Sequence, residues 1–389
     1  MKTAIIGLGN RIATLLPLLR DACPELELVA VGDPGPGHEA RLAAATAHPY
    51  TDPAHLYPDP AQMLADHRPE LVLIGSPNHL HLDHLRLALR SDARFIFAEK
   101  PLVTSLAQTL DLARLVAAHD GVSRIAVGMV LRYSALYRAL IAARRQIGAV
   151  MSIEASEHIA PYHGSFFMRD WRRDSALSGG FMLEKCCHDL DLYQGVAGAR
   201  AARVASFGGR RKFLPANRPA NAPDYLNAMA PRWGGIADAF SGQGDLIDHQ
   251  TALIEYETGA SMAFHTNMNT PDEFRRFCVI GTDAMAEGDF IRNYFKLTRA
   301  EDGAVLVDDR AIGTAGDMKH HYGADAAMAR DLAAHWRGRL PHLPLTVTDA
   351  MQAGVTALAL DQARTQGRVV ELAPFWAECD AALSERAPA

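Results

Sequence analysis

The apolar positions of the chain follow two rhythms, one for each part of its length. In the first part, short apolar runs alternate with stretches of helical spacing. Residues 3–8 (TAIIGL) read as a buried strand, a glycine turn follows, and apolar residues recur at helical intervals over 12–19. A second run over 26–31 ends in Gly-Asp-Pro. The pattern continues with a strand over 71–76 (LVLIGS), a helix over 79–89, a strand over 95–100 (FIFAEK), a helix over 105–119 and a strand over 124–130 (RIAVGMV). Such alternation of strand and helix predicts a doubly wound parallel sheet, an α/β domain spanning residues 1–125.

After about residue 130 the texture changes. A helix is expected over 134–145, a strand over 150–158 and a helix over 180–195. The segments VASFGG, TALIEYE, ASMAFHT, RFCVIG, AMAEGDF and YFKLTRA then carry short or period-two apolar patterns. This predicts an α+β domain over 126–389 with a mostly antiparallel open sheet, helices covering one face. Residues 209–247 are rich in Pro, Gly, Asn and Arg and lack periodicity, a length that favours function or a partner contact over mere connection. Arg210, Arg211 and Lys212 open that stretch and read as a solvated basic turn. The alanine-rich helical patterns at 324–337 and 348–366 read as packing faces.

Composition narrows the function classes. With 389 residues, two domains are the natural expectation, and 49% hydrophobic with 22% charged residues fits a globular enzyme rather than a disordered chain. The formal charge is -6, and no basic block stands ready to neutralise a row of phosphates, so nucleic acid is not the expected partner. Five cysteines without a CxxC pair argue against a disulfide scaffold or structural zinc. No apolar run reaches membrane-spanning length. The opening MKTAIIGLGNRIATLL imitates a short signal peptide, but Arg11 interrupts its apolar run, and a cytoplasmic protein is expected.

The first turn is the first candidate for chemistry. Gly7, Gly9, Asn10, Arg11 and Ile12 stand where the first strand meets the first helix, so backbone N–H groups and the helix's positive end can face a pyrophosphate. Ile12 occupies the place of the fingerprint's third glycine, which normally permits close packing of helix on strand. Asp33, at the end of the second strand, can accept both ribose hydroxyls of a dinucleotide, and its charge repels a 2'-phosphate. NAD is therefore expected rather than NADP. The competing reading of Asp33 is a turn former in GDPGPG, and that of the glycines an ordinary tight turn.

Two further clusters sit downstream. Glu99-Lys100-Pro101 ends the strand FIFAEK at the carboxyl edge of the sheet, and the proline biases Lys100 toward an extended backbone that would project its ammonium into the crevice. Residues 179–191 (GGFMLEKCCHDLD) predict a helix after a glycine turn, with Glu184, His188 and Asp191 along one face. A carboxylate beside a histidine can orient the imidazole and hold the imidazolium formed when it takes an alcohol proton. A solvated lysine and a surface salt network are the bland alternatives. His79, His81 and His84 form HxHxxH without an acidic shell, so no metal is expected. Cys186 and Cys187 read as buried packing rather than nucleophiles. Arg169 to Arg173, with Trp171 and Arg172, could set a guanidinium fork and an indole against an anionic sugar, and Tyr162 lies in the same loop.

With GxG after a first strand, Glu-Lys-Pro after a later one, and GG...E...H..D together, the chain resembles the glucose-fructose oxidoreductase and inositol dehydrogenase (Gfo/Idh/MocA) family along most of its length. The resemblance implies a Rossmann domain joined to a mostly antiparallel α/β domain for substrate binding and oligomerisation, with substrate between them. Lys100 resembles the family's substrate-contacting lysine and His188 its proton-relaying histidine. Glu184 stands where aspartate is common. Residues 76–81 resemble the family's nucleotide-side loop, which adds Ser76, Asn78 and His81 to the cofactor residues, beside Glu99 and Lys100; His81 reads as lining the nicotinamide side. Lys100, Arg172, Trp171, Tyr162, Glu184 and His188 form the expected substrate set. The expectation is an NAD(P)-dependent oxidoreductase moving hydride between the nicotinamide and a secondary hydroxyl of a sugar, sugar derivative or polyol. A glycosidase that oxidises a sugar transiently with catalytic NAD, and a non-catalytic nucleotide-binding protein, are the rivals. A homodimer or homotetramer is implied by resemblance alone.

Overall fold

The computed structural model describes the chain except for residues 36, 47–55, 222–235, 314–317 and 386–389. Residues 222–235 of the long stretch at 209–247 thus lie outside the described residues. By their internal contacts the residues form two units, Met1–Met129 with Asp325–Met351 and Trp376–Ala389, and Val130–Ala324 with Gln352–Phe375.

The first unit is built on β1 (Lys2–Ile6), β2 (Glu27–Gly32), β3 (Leu56–Tyr57), β4 (Leu71–Ile74), β5 (Phe95–Ala98) and β6 (Ile125–Val127). They pair in the order β3-β2-β1-β4-β5-β6, all parallel. The central strands are apolar on both faces because helices cover both, as parallel sheets require: Ile5, Ile6, every residue of β4 and Ile96 to Ala98 are buried. Helices α1 (Asn10–Ala22), α2 (His38–Thr46), α3 (Pro60–His67), α4 (His81–Arg90) and α5 (Leu106–Ala118) follow the strands. α1 buries Ile12, Leu15, Leu16 and Leu19. α4 buries Leu82, Leu85, Ala88 and Leu89, the spacing of one apolar helix face. The strand order reverses between β1 and β4, the point at which ligands of such sheets bind. Later residues complete this unit: the Arg337 guanidinium holds Glu25 at 2.5 and 2.6 Å, and the Phe95 ring lies against His335 and Trp336.

The second unit carries a nine-stranded sheet of β7 (Val150–His158), β8 (Ala201–Gly209), β9 (His249–Tyr256), β10 (Ser261–Asn267), β11 (Phe274–Gly281), β12 (Ala284–Asp289), β13 (Tyr294–Arg299), β14 (Val305–Asp309) and β15 (Val370–Glu371). The order is β14-β13-β12-β11-β7-β10-β9-β8-β15, antiparallel except where β7 meets β10. Alternation along the strands sends Ile153, Ala252, Ile254, Met262, Phe264, Phe277 and Val279 to a buried face. Helices Cys187–Ala197 and Val347–Gln366 bury their own apolar residues in this unit, the second through Leu360 and Ala363. The opposite strand face keeps Phe207 73% and Leu253 53% exposed. The expected helix over 180–195 is two helices, Phe181–Glu184 and Cys187–Ala197, broken at Lys185 and Cys186. No described helix is long and apolar enough to cross a membrane.

Candidate active site

In the first unit the chemistry gathers at the carboxyl ends of β1, β4 and β5. Gly7 has φ +79°, and a Cβ there would lie 2.5 Å from the Ser76 backbone; a Cβ on Gly9 would lie 2.8 Å from the Gly75 carbonyl. Only glycine lets this turn settle onto the end of β4. Gly9 caps α1 without any side chain, leaving first-turn N–H groups available to an anion. The place of the missing third glycine is filled by Ile12, which is fully buried, and the room it needs is supplied by Gly75: a Cβ there would stand 2.1 Å from Ile12 Cγ1. The residues present therefore fit a dinucleotide at this turn, with the close packing reached by the reverse placement of glycine and side chain.

Asp33 is buried, and its carboxylate accepts from Leu8 N–H at 2.7 Å and Gly35 N–H at 2.8 Å. It thereby both shapes its own turn and ties that turn to the glycine loop. A carboxylate has about four acceptor sites, so these two bonds do not exhaust it. Asn10 accepts from Arg41 through its side chain. Arg11 lies on Glu99 at 3.1 Å and on Asp325 at 2.5 Å, so its guanidinium serves this ion cluster. Burial pushes Glu99 up, against the pull of Arg11 and Lys100. Lys100 follows β5, half-buried, with a cis bond to Pro101 where the sequence suggested only an extended backbone. Ser76 Oγ meets His84 Nδ1 at 2.7 Å, and Asn78 is buried at the start of a short helical turn. His81 sets Nδ1 at 2.6 Å from the Pro101 carbonyl and Nε2 at 2.8 Å from that of Ser76, so both ring nitrogens pin loops rather than project outward.

In the second unit His188 is buried in the first turn of Cys187–Ala197, its ring 6.2 Å from that of His321. Glu184 is buried and receives Arg172 Nε at 3.3 Å. That guanidinium also lies over the rings of Phe166 and Trp171, at 4.2 and 4.3 Å. Asp191, expected to share the catalytic face, instead grips Arg132 with both carboxylate oxygens at 2.7 and 2.8 Å. Tyr162 donates to Glu273 Oε2 at 2.9 Å, and Glu273 Oε1 accepts Ala160 N–H at 2.7 Å. Cys186 and Cys187 are fully buried, and burial raises the Cys186 thiol.

Sequence reasoning missed the network beside this helix. Glu157 bridges Lys185 at 3.1 Å and Arg275 at 2.6 Å, and Arg275 holds Asp189 at 2.6 and 2.8 Å. All four are buried or nearly so. Two cations balance two carboxylates, which is what makes such burial tolerable. Although burial works against it, Arg275 and Lys185 hold Glu157 down, while burial pushes Asp189, sharing the same arginine, up to about 8. The only signal in the chain is the cluster of charges in GGFMLEKCCHDLD itself, whose partners lie tens of residues away.

Residues 1–127 match the family described as "Oxidoreductase family, NAD-binding Rossmann fold", and residues 136–287 match the GFO/IDH/MocA C-terminal domain. The chain belongs to the Gfo/Idh/MocA family. It is 20% identical over 346 residues to YteT of Bacillus subtilis (strain 168), described as a candidate oxidoreductase, covering 77% of this chain and 79% of that one. It is 27% identical over 294 residues to the NAD(+)-dependent scyllo-inositol 2-dehydrogenase of the same organism, covering 73% and 72%. The scyllo-inositol dehydrogenase of Lactobacillus casei, solved with NAD(H) and scyllo-inositol, superposes with a TM-score of 0.69 at 20% identity, over 96% of this chain and 99% of that one. As a Gfo/Idh/MocA protein it is an oxidoreductase-family member with an NAD-binding Rossmann fold.

Proposed function

We propose that the protein oxidises a secondary hydroxyl of a sugar, sugar derivative or polyol with NAD as cofactor. The observation that carries this reading is the buried His188 at the start of its helix, in a chain that also holds Lys100 at the end of β5. Family membership and the inositol dehydrogenases among its relatives support the substrate class.

The turn from Gly7 through Ile12 would hold the pyrophosphate and Asp33 the ribose, whose carboxylate disfavours a 2'-phosphate. Ser76, Asn78 and Glu99 belong to the loops around that site. Bound NAD supplies a hydride acceptor at its nicotinamide. His188 takes the hydroxyl proton, and Lys100 stabilises the negative charge that develops on the oxygen. Arg172, steadied by Glu184 and by the Phe166 and Trp171 rings, offers donors to further hydroxyls, with Tyr162 and Glu273 as a second polar pair. Apart from Lys100, the proposed substrate contacts come from the part of the chain after residue 125. A homodimer or homotetramer is the assembly expected for such a chain.

The test is purified protein with NAD or NADP against polyols, sugars, sugar acids and aryl glycosides, following reduced nicotinamide and released aglycone together. Net NADH is expected with one substrate class. His188→Ala should lower kcat by about 10²–10⁴-fold, and Lys100→Ala should abolish most turnover while NAD still binds. Full activity in Lys100→Ala would overturn the assignment, and NAD-dependent aglycone release without NADH would replace the dehydrogenase by a redox-cycling glycosidase.

A further inference from the structure

The basic run at the start of the long loop is not uniform. Arg210 spends its guanidinium on the loop itself, donating to the carbonyls of Leu246 at 2.8 Å, Gln243 at 3.2 Å and Gly244 at 2.5 Å. Arg211 and Lys212 instead line a cleft of about 730 Å³ in the second unit. Among the described residues neither side chain has a carboxylate within ion-pair distance, and the one carboxylate in the lining is that of the buried Asp248.

The cleft is built rather than incidental. Its floor is one row across four strands: His249 of β9 pairs with Asn267 of β10, Asn267 with His158 of β7, and His158 with Phe274 of β11. Strand partners share a face, so these side chains stand side by side. The wall bearing the two cations is fixed by Asp248, which is buried and accepts the N–H groups of Arg211 at 2.9 Å, Lys212 at 2.6 Å and Phe213 at 3.1 Å, with His249 Nδ1 at 3.0 Å. Asp248 thus engages the backbone N–H groups and His249 rather than either cationic side chain. Phe213 anchors the same wall in the core against Phe240. On the opposite wall, Asn269 N–H donates to Asn267 Oδ1 at 2.8 Å, which orients the Asn267 amide with its NH₂ group away from that bond. Burial, with His265 and Arg276 beside it, holds His158 down to about 4, so His158 adds no positive charge to the cleft near neutral pH.

We propose that this cleft is a second ligand site, which takes a small oxyanion on a polyhydroxylated frame, a sugar bearing a carboxylate or a phosphate. A guanidinium fork and an ammonium suit the oxyanion, and the asparagine amides suit hydroxyls. The volume falls in the range of small-molecule pockets. None of Lys100, His188, Glu184 or Arg172 lines this cleft, and the proposal does not depend on the hydride chemistry proposed above.

The test is isothermal titration calorimetry on the full chain at constant ionic strength, with inorganic phosphate, glucose 6-phosphate, gluconate and glucose as probes. At least one anion should bind, and Arg211→Gln and Lys212→Gln should each weaken it by about tenfold or more, while His188→Asn leaves it unchanged. The response to phosphate against gluconate tells which oxyanion the site takes. Because the backbone here is held by Asp248, both glutamine variants should keep the wild-type circular dichroism spectrum and melting temperature without ligand, and should lose only the rise that saturating anion gives. Three results would overturn the proposal: no anion binding by about 10 mM, a range far weaker than such a donor set supports; glucose binding as tightly as the anions; or affinities untouched by both variants. Loss of activity in Lys100→Ala with anion binding intact would separate this site's fate from that of the dehydrogenase reading.

Discussion

Replacing Gly75 by alanine tests how the nucleotide turn is packed. The added methyl would lie 2.1 Å from Ile12 Cγ1, 3.0 Å from the Gly7 carbonyl oxygen and 3.2 Å from Ile12 Cβ. Gly75 does not need the left-handed backbone region, so alanine is conformationally allowed and the cost is steric. Overpacking of this kind costs about 1–3 kcal/mol. The upper part of that range is expected, because the Gly7 oxygen belongs to the backbone and cannot swing away. Ile12→Ala removes a fully buried side chain and should cost about 2–5 kcal/mol. If the two sites were independent, the double variant would lose the sum. Instead the new methyl at residue 75 enters the space left by Ile12 Cγ1, relieving the clash and filling part of the cavity. The double variant should therefore be more stable than that sum by about 1–3 kcal/mol. Relief stays incomplete because a Cβ remains at residue 12.

The assay is urea unfolding of the four proteins by circular dichroism. Two units can unfold in separate steps, so the transition to follow is the one that saturating NAD displaces to higher urea. Additivity within about 0.5 kcal/mol would refute the reasoning, since it would mean that residues 12 and 75 do not share the space.

Other consequences are simpler to state. Arg132 and Asp191 are buried and bound through two side-chain bonds, so Arg132→Leu or Asp191→Asn should each cost about 3–5 kcal/mol in urea unfolding, whereas Arg132→Leu with Asp191→Leu should recover much of the loss. His84 and His158 are both held down to about 4, chiefly by burial, whereas an unfolded histidine titrates near 6.5. The unfolded chain thus binds more protons between those values, and stability should fall as pH drops from about 6.5 to 4, by at most about 1.4 kcal/mol per pH unit for each histidine and less where water screens it. Urea midpoints across that window should fall less steeply in His84→Gln and His158→Gln, and equal slopes would exclude these two groups as the cause.

Most of the architecture was legible because period and burial speak locally. The strands of the first unit show as unbroken apolar runs where both faces are covered, and β9, β10 and β11 show as alternation where one face is. The segments that escaped, such as β3 and β15, are two-residue strands stabilised by their neighbours rather than by their own pattern. The break at Lys185 escaped for a different reason. FMLEKCCHDLDLYQ contains neither glycine nor proline, and the interruption coincides with a lysine whose ammonium meets Glu157, a partner 28 positions earlier in sequence that no local window includes. Likewise the i, i+4 and i+7 spacing of Glu184, His188 and Asp191 assumed one helix and could not foresee that Arg132 would claim Asp191.

The two departures from the family pattern have a common logic. Ile12 in place of a glycine looks like a loss of close packing until Gly75 appears opposite it, leaving the space that the isoleucine side chain fills. Glu184, one methylene longer than the usual aspartate, looks like a displaced carboxylate until Arg172 appears 3.3 Å away, stacked between aromatic rings. A carboxylate so engaged is poorly suited to act alone on a hydroxyl, but it fixes a guanidinium that would otherwise lose rotamer freedom on binding a ligand. In both cases the unusual residue is half of a pair. The substitution that tests its role is therefore the one made at the partner: at Gly75 for the nucleotide turn, and at Arg172 for the groups that meet the substrate.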